Sequence, residues 1–119
     1  MAELFVVEVA GRMLALPTAQ VRSIAPAGWI TPLPTAPTFV VGVTQIRGHI
    51  VPVIDIADPP RLVQPEDPLL VVEYGPARAA LRVDRVLGDE PLGESAAQIE
   101  RLDVGALFDR IRDAIMSKP

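Results

Sequence analysis

Thirteen of the chain's 119 residues are proline, and they are scattered along it rather than gathered in one tract. Proline lacks a backbone N–H and clashes with the turn before it, so helix interiors exclude it. Within sheets it is confined to edges, bulges and strand ends. A chain punctuated this densely folds into short strands and turns. The stretch from Ala25 to Pro37 carries Pro26, Gly28, Pro32, Pro34 and Pro37. It reads as an extended connection with one short strand around Trp29 to Leu33. Half of the residues are apolar, enough for a sizeable core and against disorder over most of the chain.

Between the prolines the pattern is β-rich. Leu4 to Val9 and Arg12 to Leu16 flank Ala10-Gly11 as a hairpin, which Pro17 stops. Thr18 to Ile24 reads as a helical turn leading into a strand. Phe39 to Ile46 and His49 to Ile56 flank Arg47-Gly48 as the clearest hairpin, and Pro52 in its second strand predicts an edge or a bulge. Ala57 to Pro68 is a polar, proline-rich loop. Leu69 to Tyr74, the turn Gly75-Pro76 and Arg78 to Val83 form a further hairpin, which continues through Asp84 to Leu87 or bends at Gly88. Asp89 to Glu94 is acidic without a strand pattern. Ser95 to Arg101 is read as a helix start, with Ser95 and Gln98 spaced as a capping box. Asp103 is the expected N-cap of a terminal amphipathic helix, whose stripe is Val104, Leu107, Phe108, Ile111 and Ile115. Arg110 and Arg112 are placed late in it, where cations complement the dipole. The class is mainly β, of the small-barrel kind, with one C-terminal helix.

The chemistry available is narrow. The net charge of −4 argues against a phosphate-binding surface and so against nucleic acid. Ten of the eleven basic residues are arginine, a residue suited to bidentate contacts at interfaces. There is no cysteine, which removes disulfides and thiol catalysis. His49 is the sole histidine, so no two-histidine metal site exists, and it reads as a residue flanking a turn. None of Ser23, Ser95 and Ser117 lies in a nucleophile elbow, and no glycine-rich phosphate cradle occurs. Asp55 ends an apolar strand, where aspartate is usually a turn former. An enzyme acting through Asp55 and neighbouring carboxylates is the weakest of the functional readings. No cofactor and no metal are expected. Met1-Ala2-Glu3 does not begin a signal peptide, and no apolar run approaches the ~18 residues of a membrane span. The expected location is cytoplasmic without membrane insertion, and Met1 with the tail Ser117-Lys118-Pro119 favours a whole chain. What stands out is apolar and arginine-bearing surface at turns. Val21 and Ile46 are read equally well as core, and Arg47 as a solvated turn residue.

Residues Gly42 to Ile56, GVTQIRGHIVPVIDI, resemble the signature of the CheW family, roughly G-V-x-N-x-R-G-x-x-x-P-V-x-D-L. Gly42, Val43, Arg47, Gly48, Pro52, Val53 and Asp55 all match. Leu14 to Ile24 is similar to the family's segment leading into V-x-E-I, and Leu33 to Phe39 to its proline-rich run. Ala80 to Gly88 is similar to G-L-x-V-D-x-V, and Leu102 to Leu107 to its closing L-D-x-x-x-L. The resemblance covers nearly the whole chain, taken as one CheW-like domain over residues 1–119. It implies two small SH3-like β-barrels around a shared core. It implies a non-catalytic scaffold that binds the cytoplasmic helical tip of a methyl-accepting-type chemoreceptor and a CheA-type histidine kinase. The receptor hairpin would dock in a groove to which Val21, Gly42, Ile46, Arg47 and Leu69 belong.

The departures shape the expectation. Gln45 replaces the asparagine before the turn, which puts the turn's geometry in question, and Ser23 replaces the acid of V-x-E-I, removing a charge from the groove edge. The loop Ala57 to Pro68 is short. Between Leu87 and Leu102-Asp103 the family's further hairpin is missing, roughly twenty residues. One barrel is therefore expected to lack strands, its open edge covered by the terminal helix or by another CheW-like chain. The resulting expectation is an adaptor similar to short accessory homologues of gliding-motility chemosensory systems, with weak or absent kinase coupling. The alternative is a conventional coupling protein joining receptor and kinase.

Overall fold

The computed structural model describes residues 3–33, 39–57, 62–89 and 99–116. Three hairpins build the chain, each closed by two residues. Strand β1 (Leu4–Val9) turns at Ala10-Gly11 into β2 (Arg12–Pro17). Strand β4 (Val40–Ile46) turns at Arg47-Gly48 into β5 (His49–Ile54). Strand β6 (Pro68–Tyr74) turns at Gly75-Pro76 into β7 (Ala77–Arg82). Two-residue loops match the right-handed twist of the strands only with left-handed backbone. Ala10 and Gly11 have φ of +53° and +79°, Arg47 and Gly48 +51° and +81°. Gln45 is thus not the turn residue. It pairs with Ile50 inside the β4–β5 ladder, so its replacement of asparagine leaves the turn geometry untouched, and the left-handed position falls on Arg47.

The strands form two sheets. The first has the order β8-β1-β2-β9, with β8 (Arg85–Asp89) and the short β9 (Ile99–Arg101) as its edges. The second has the order β3-β6-β7-β5-β4, where β3 (Val21–Pro26) follows a 3-10 turn at Thr18–Gln20. The expected helix start over Ser95 to Arg101 is overturned at its end. Residues 99–101 are β9, paired in parallel with β2, while Ser95 and Gln98 lie outside the described residues. The pairing is fixed by cross-strand chemistry that a helical pattern does not register. The Arg12 guanidinium donates to both Glu100 carboxylate oxygens at 2.9 and 2.7 Å. The strand expected around Trp29 to Leu33 is reduced to one bridge between Thr31 and Val43.

Pro52 was expected at an edge or bulge, yet β5 lies between β4 and β7. Val43, its partner on β4, uses both N–H and C=O on Thr31. The missing N–H of Pro52 therefore faces away from β4, and pairing with β7 covers only Val53 and Ile54. The strand is an edge for half its length. A register shift between Val40 and Gly42 places a bulge on β4 opposite.

One core joins both sheets. Val7, Val9, Leu14 and Leu16 of the first sheet pack with Leu70, Val72, Ala79 and Leu81 of the second. A second cluster on the other face of the larger sheet holds Ala27, Val51, Val53, Leu69 and Ala80. Strands β6 and β7 are covered on both faces, which is why they read as continuous apolar runs. Helix α1 (Val104–Met116) begins as expected, with Ala106 N donating to Asp103 Oδ1 at 3.0 Å. It inserts Val104, Leu107, Phe108 and Ile111 into the shared core; the Ile115 side chain lies outside the described residues. Phe108 stacks on Tyr74 at 6.1 Å. The helix therefore covers β6 and the junction of the sheets. Its run to Met116 leaves Arg110 and Arg112 short of the last turn. Arg110 lies 4.7 Å over the Phe39 ring, and Arg112 pairs with Asp109 at 3.3 Å.

Candidate functional site

The larger sheet carries a groove of about 250 Å³ beside the β4–β5 turn. Its walls come from three places far apart in sequence. Strand β3 supplies Arg22 and Ser23, the hairpin tip supplies Ile46, Arg47, His49 and Val51, and the β6–β7 pair supplies Val71 and Arg78. A register shift between Val21 and Ser23 puts Arg22 at a bulge of β3. The two-residue turn at Gly75-Pro76 sets Arg78 opposite Glu73. The primed turn lifts the Arg47 side chain at the hairpin tip, where it is exposed and has no ion-pair partner among the described residues.

The floor is apolar, with Val51 and Val71 nearly sealed from solvent, and the rim is cationic. Glu73 is the carboxylate beside it; its Oε2 accepts from Arg78 Nε at 3.1 Å and forms an ion pair with Arg22 Nη1 at 3.1 Å. Three guanidiniums against one carboxylate leave this part of an acidic chain net positive. Such a groove takes an apolar segment bearing negative charge. Among the described residues no three His, Asp or Glu side chains gather as a metal would need, and no helix is long and apolar enough to cross a membrane. Asp55 is fully buried and accepts from Ala57 N at 2.9 Å, which ties the chain just after β5.

The residues singled out from the sequence divide by depth. Ile46 and Arg47 line the groove. Val21 is half-buried next to Arg22 and packs towards the shared core. Leu69 is fully buried in the second cluster, so it can support the groove but cannot touch a partner. Gly42 is also buried, because the Trp29–Thr31 segment crosses directly over it. A Cβ there would sit inside the Thr31 carbonyl oxygen and 2.9 Å from Ile30 Cγ2. Its role is close approach of backbone, not contact. Sequence reasoning missed Arg22, His49 and Arg78 as groove residues. The signal for Arg78 was available, since a two-residue turn at Gly75-Pro76 fixes the 73–78 pair. Arg22 depends on a bulge that no local pattern announces.

Three comparisons bear on this geometry. Residues 3–111 match the model of the CheW-like domain. The chain is 33% identical to Protein FrzA of Myxococcus xanthus over 116 residues, covering 86% of this chain and 72% of FrzA. The crystal structure of the scaffolding protein TtCheW from Thermoanaerobacter tengcongensis superposes with a TM-score of 0.67 at 28% identity, covering 80% of this chain and 68% of that one. With the signature hairpin, the paired sheets and the family match all in one chain, this protein belongs to the CheW-like family of non-catalytic scaffold proteins.

Proposed function

We propose that the chain is a cytoplasmic chemosensory adaptor, one CheW-like unit over residues 1–119, that binds the helical tip of a chemoreceptor in the groove of the larger sheet. The observation that carries this is Arg47, without an ion-pair partner among the described residues, beside the apolar Ile46, Val51 and Val71. Helix-in-groove recognition needs an apolar seat with charge at its rim. Coupling to a CheA-type kinase is weak or absent in this reading. The motive is the smaller sheet, which ends in a strand of only three residues.

A paired titration tests both parts. The protein is titrated with a cytoplasmic receptor fragment and then with the kinase regulatory domain at the same salt and temperature. Receptor binding that falls by about tenfold in Arg47→Ala, with no kinase binding, supports the reading; tenfold is roughly 1.4 kcal/mol. Receptor binding unchanged by Arg47→Ala overturns the assigned contact. Micromolar kinase binding, about −8 kcal/mol, makes the protein a conventional coupling protein instead.

A further inference from the structure

A carboxylate already stands beside the groove, on two of the arginines that line it. Glu73 Oε2 sits between two guanidiniums, at 3.1 Å from Arg22 Nη1 and 3.1 Å from Arg78 Nε. Glu73 and Arg78 face each other across the β6–β7 ladder, while Arg22 reaches in from the bulge of β3. Position 23, on the same wall, is serine, so it offers no second acid to these cations. Arg47, at the opposite wall, is left without an anion among the described residues.

From this we infer that Glu73 is a built-in competitor: it occupies the carboxylate subsite between Arg22 and Arg78, and so limits how strongly the groove holds an acidic, apolar-flanked segment of a partner. The partner's chemistry follows from the charges. One carboxylate of the incoming segment meets Arg47. A second would have to displace Glu73, gaining ion pairs with Arg22 and Arg78 only by breaking the two that Glu73 already makes. Partly exposed ion pairs of this kind are worth little each, so the exchange is nearly balanced and easily tipped. Removing the Glu73 charge frees two cations and admits the second carboxylate without competition. The inference rests on the groove being a binding site, and deepens that reading by naming the acidic character of its ligand and the residue that tunes it.

The test uses Glu73→Gln, which keeps the shape and one acceptor oxygen, with circular dichroism as the check on folding. Two probes are titrated at low and high salt: a cytoplasmic chemoreceptor fragment and a hexaglutamate peptide. Glu73→Gln is expected to bind both about two- to fivefold more tightly than the parent at low salt. That gain is expected to disappear at high salt, where exposed charges are screened. Adding Arg22→Gln and Arg78→Gln to Glu73→Gln should return affinity to the parent value or below. Equal or weaker binding by folded Glu73→Gln overturns the inference, even if the receptor fragment binds. A gain with hexaglutamate while neither protein binds the receptor fragment keeps the competitor role and overturns the receptor reading. No binding of either probe to either protein overturns both.

Discussion

Two single residues in the signature hairpin do different work, and substitutions separate them. Gly42 is a packing requirement. Its missing Cβ lets the 29–31 backbone cross β4, where Thr31 exchanges both backbone hydrogen bonds with Val43 at 2.8 and 2.9 Å. Gly42→Ala must push that backbone away, because the obstacle is a carbonyl and not the end of a mobile side chain. The expected cost is about 2 kcal/mol, within the range of overpacked cores, read as a lower urea midpoint with unchanged slope. Arg47 is the reverse case. A non-glycine residue at φ +51° is strained, so its place at the tip is not explained by the turn. Arg47→Asn should hold or raise stability, by up to about 1 kcal/mol, since asparagine tolerates this backbone better. If Arg47 is the receptor contact proposed above, the same variant should lose receptor binding, as is expected of Arg47→Ala. A destabilised Arg47→Asn with intact binding would mean that the side chain serves the fold.

At the scale of elements, the sequence showed what local chemistry decides. The three hairpins were legible because Gly11, Gly48 and Gly75 mark two-residue turns between apolar runs, and Asp103 announced the helix by its capping side chain. What was illegible depends on distant partners. Residues 99–101 carry no strand pattern and become β9 only because β2 offers a ladder and Arg12 a partner for Glu100. The groove was half-legible for the same reason: Ile46 and Arg47 lie in one motif, whereas Arg22 and Arg78 arrive from other strands. The Arg12–Glu100 pair also gives β9 a pH dependence. The hydrogen bonds from Arg12 hold the Glu100 carboxyl below its ordinary range, and the carboxylate raises the guanidinium in turn. A lowered folded value means that the pair supports β9 above the ordinary glutamate range and is lost as pH falls through the lowered one. Hydrogen exchange of the Leu102 amide, which donates to Ala15 O at 2.8 Å, reads this directly. Protection should exceed that of Glu100→Gln at neutral pH and converge with it in acid. A difference that persists in acid would rule out the pair as its cause.

For the whole molecule, the question is whether two sheets make one cooperative unit. The shared core says they do, since Leu14 and Leu16 of the smaller sheet lie in one apolar cluster with Leu70 and Leu81 of the larger sheet and Phe108 of the helix. A polar clamp reinforces the union. The nearly buried Arg82 donates to Asp67 at 3.3 Å and to Asp84 at 3.1 Å, and Asp84 in turn accepts from Ala10 N at 2.7 Å in the β1–β2 turn. That one guanidinium links the loop before β6 in the larger sheet to the turn of the smaller one. Arg82→Met leaves two carboxylates facing each other around an apolar side chain, and should cost about 3 kcal/mol, as loss of one partner from a buried ionic group does. The cost should fall on both sheets together. Native-state hydrogen exchange of Val7 in the smaller sheet and Leu70 in the larger one should report the same opening free energy in the parent. Both values should drop by the same amount in Arg82→Met. If only Val7 loses protection, the smaller sheet opens alone, and the clamp holds it onto a larger sheet that is stable by itself.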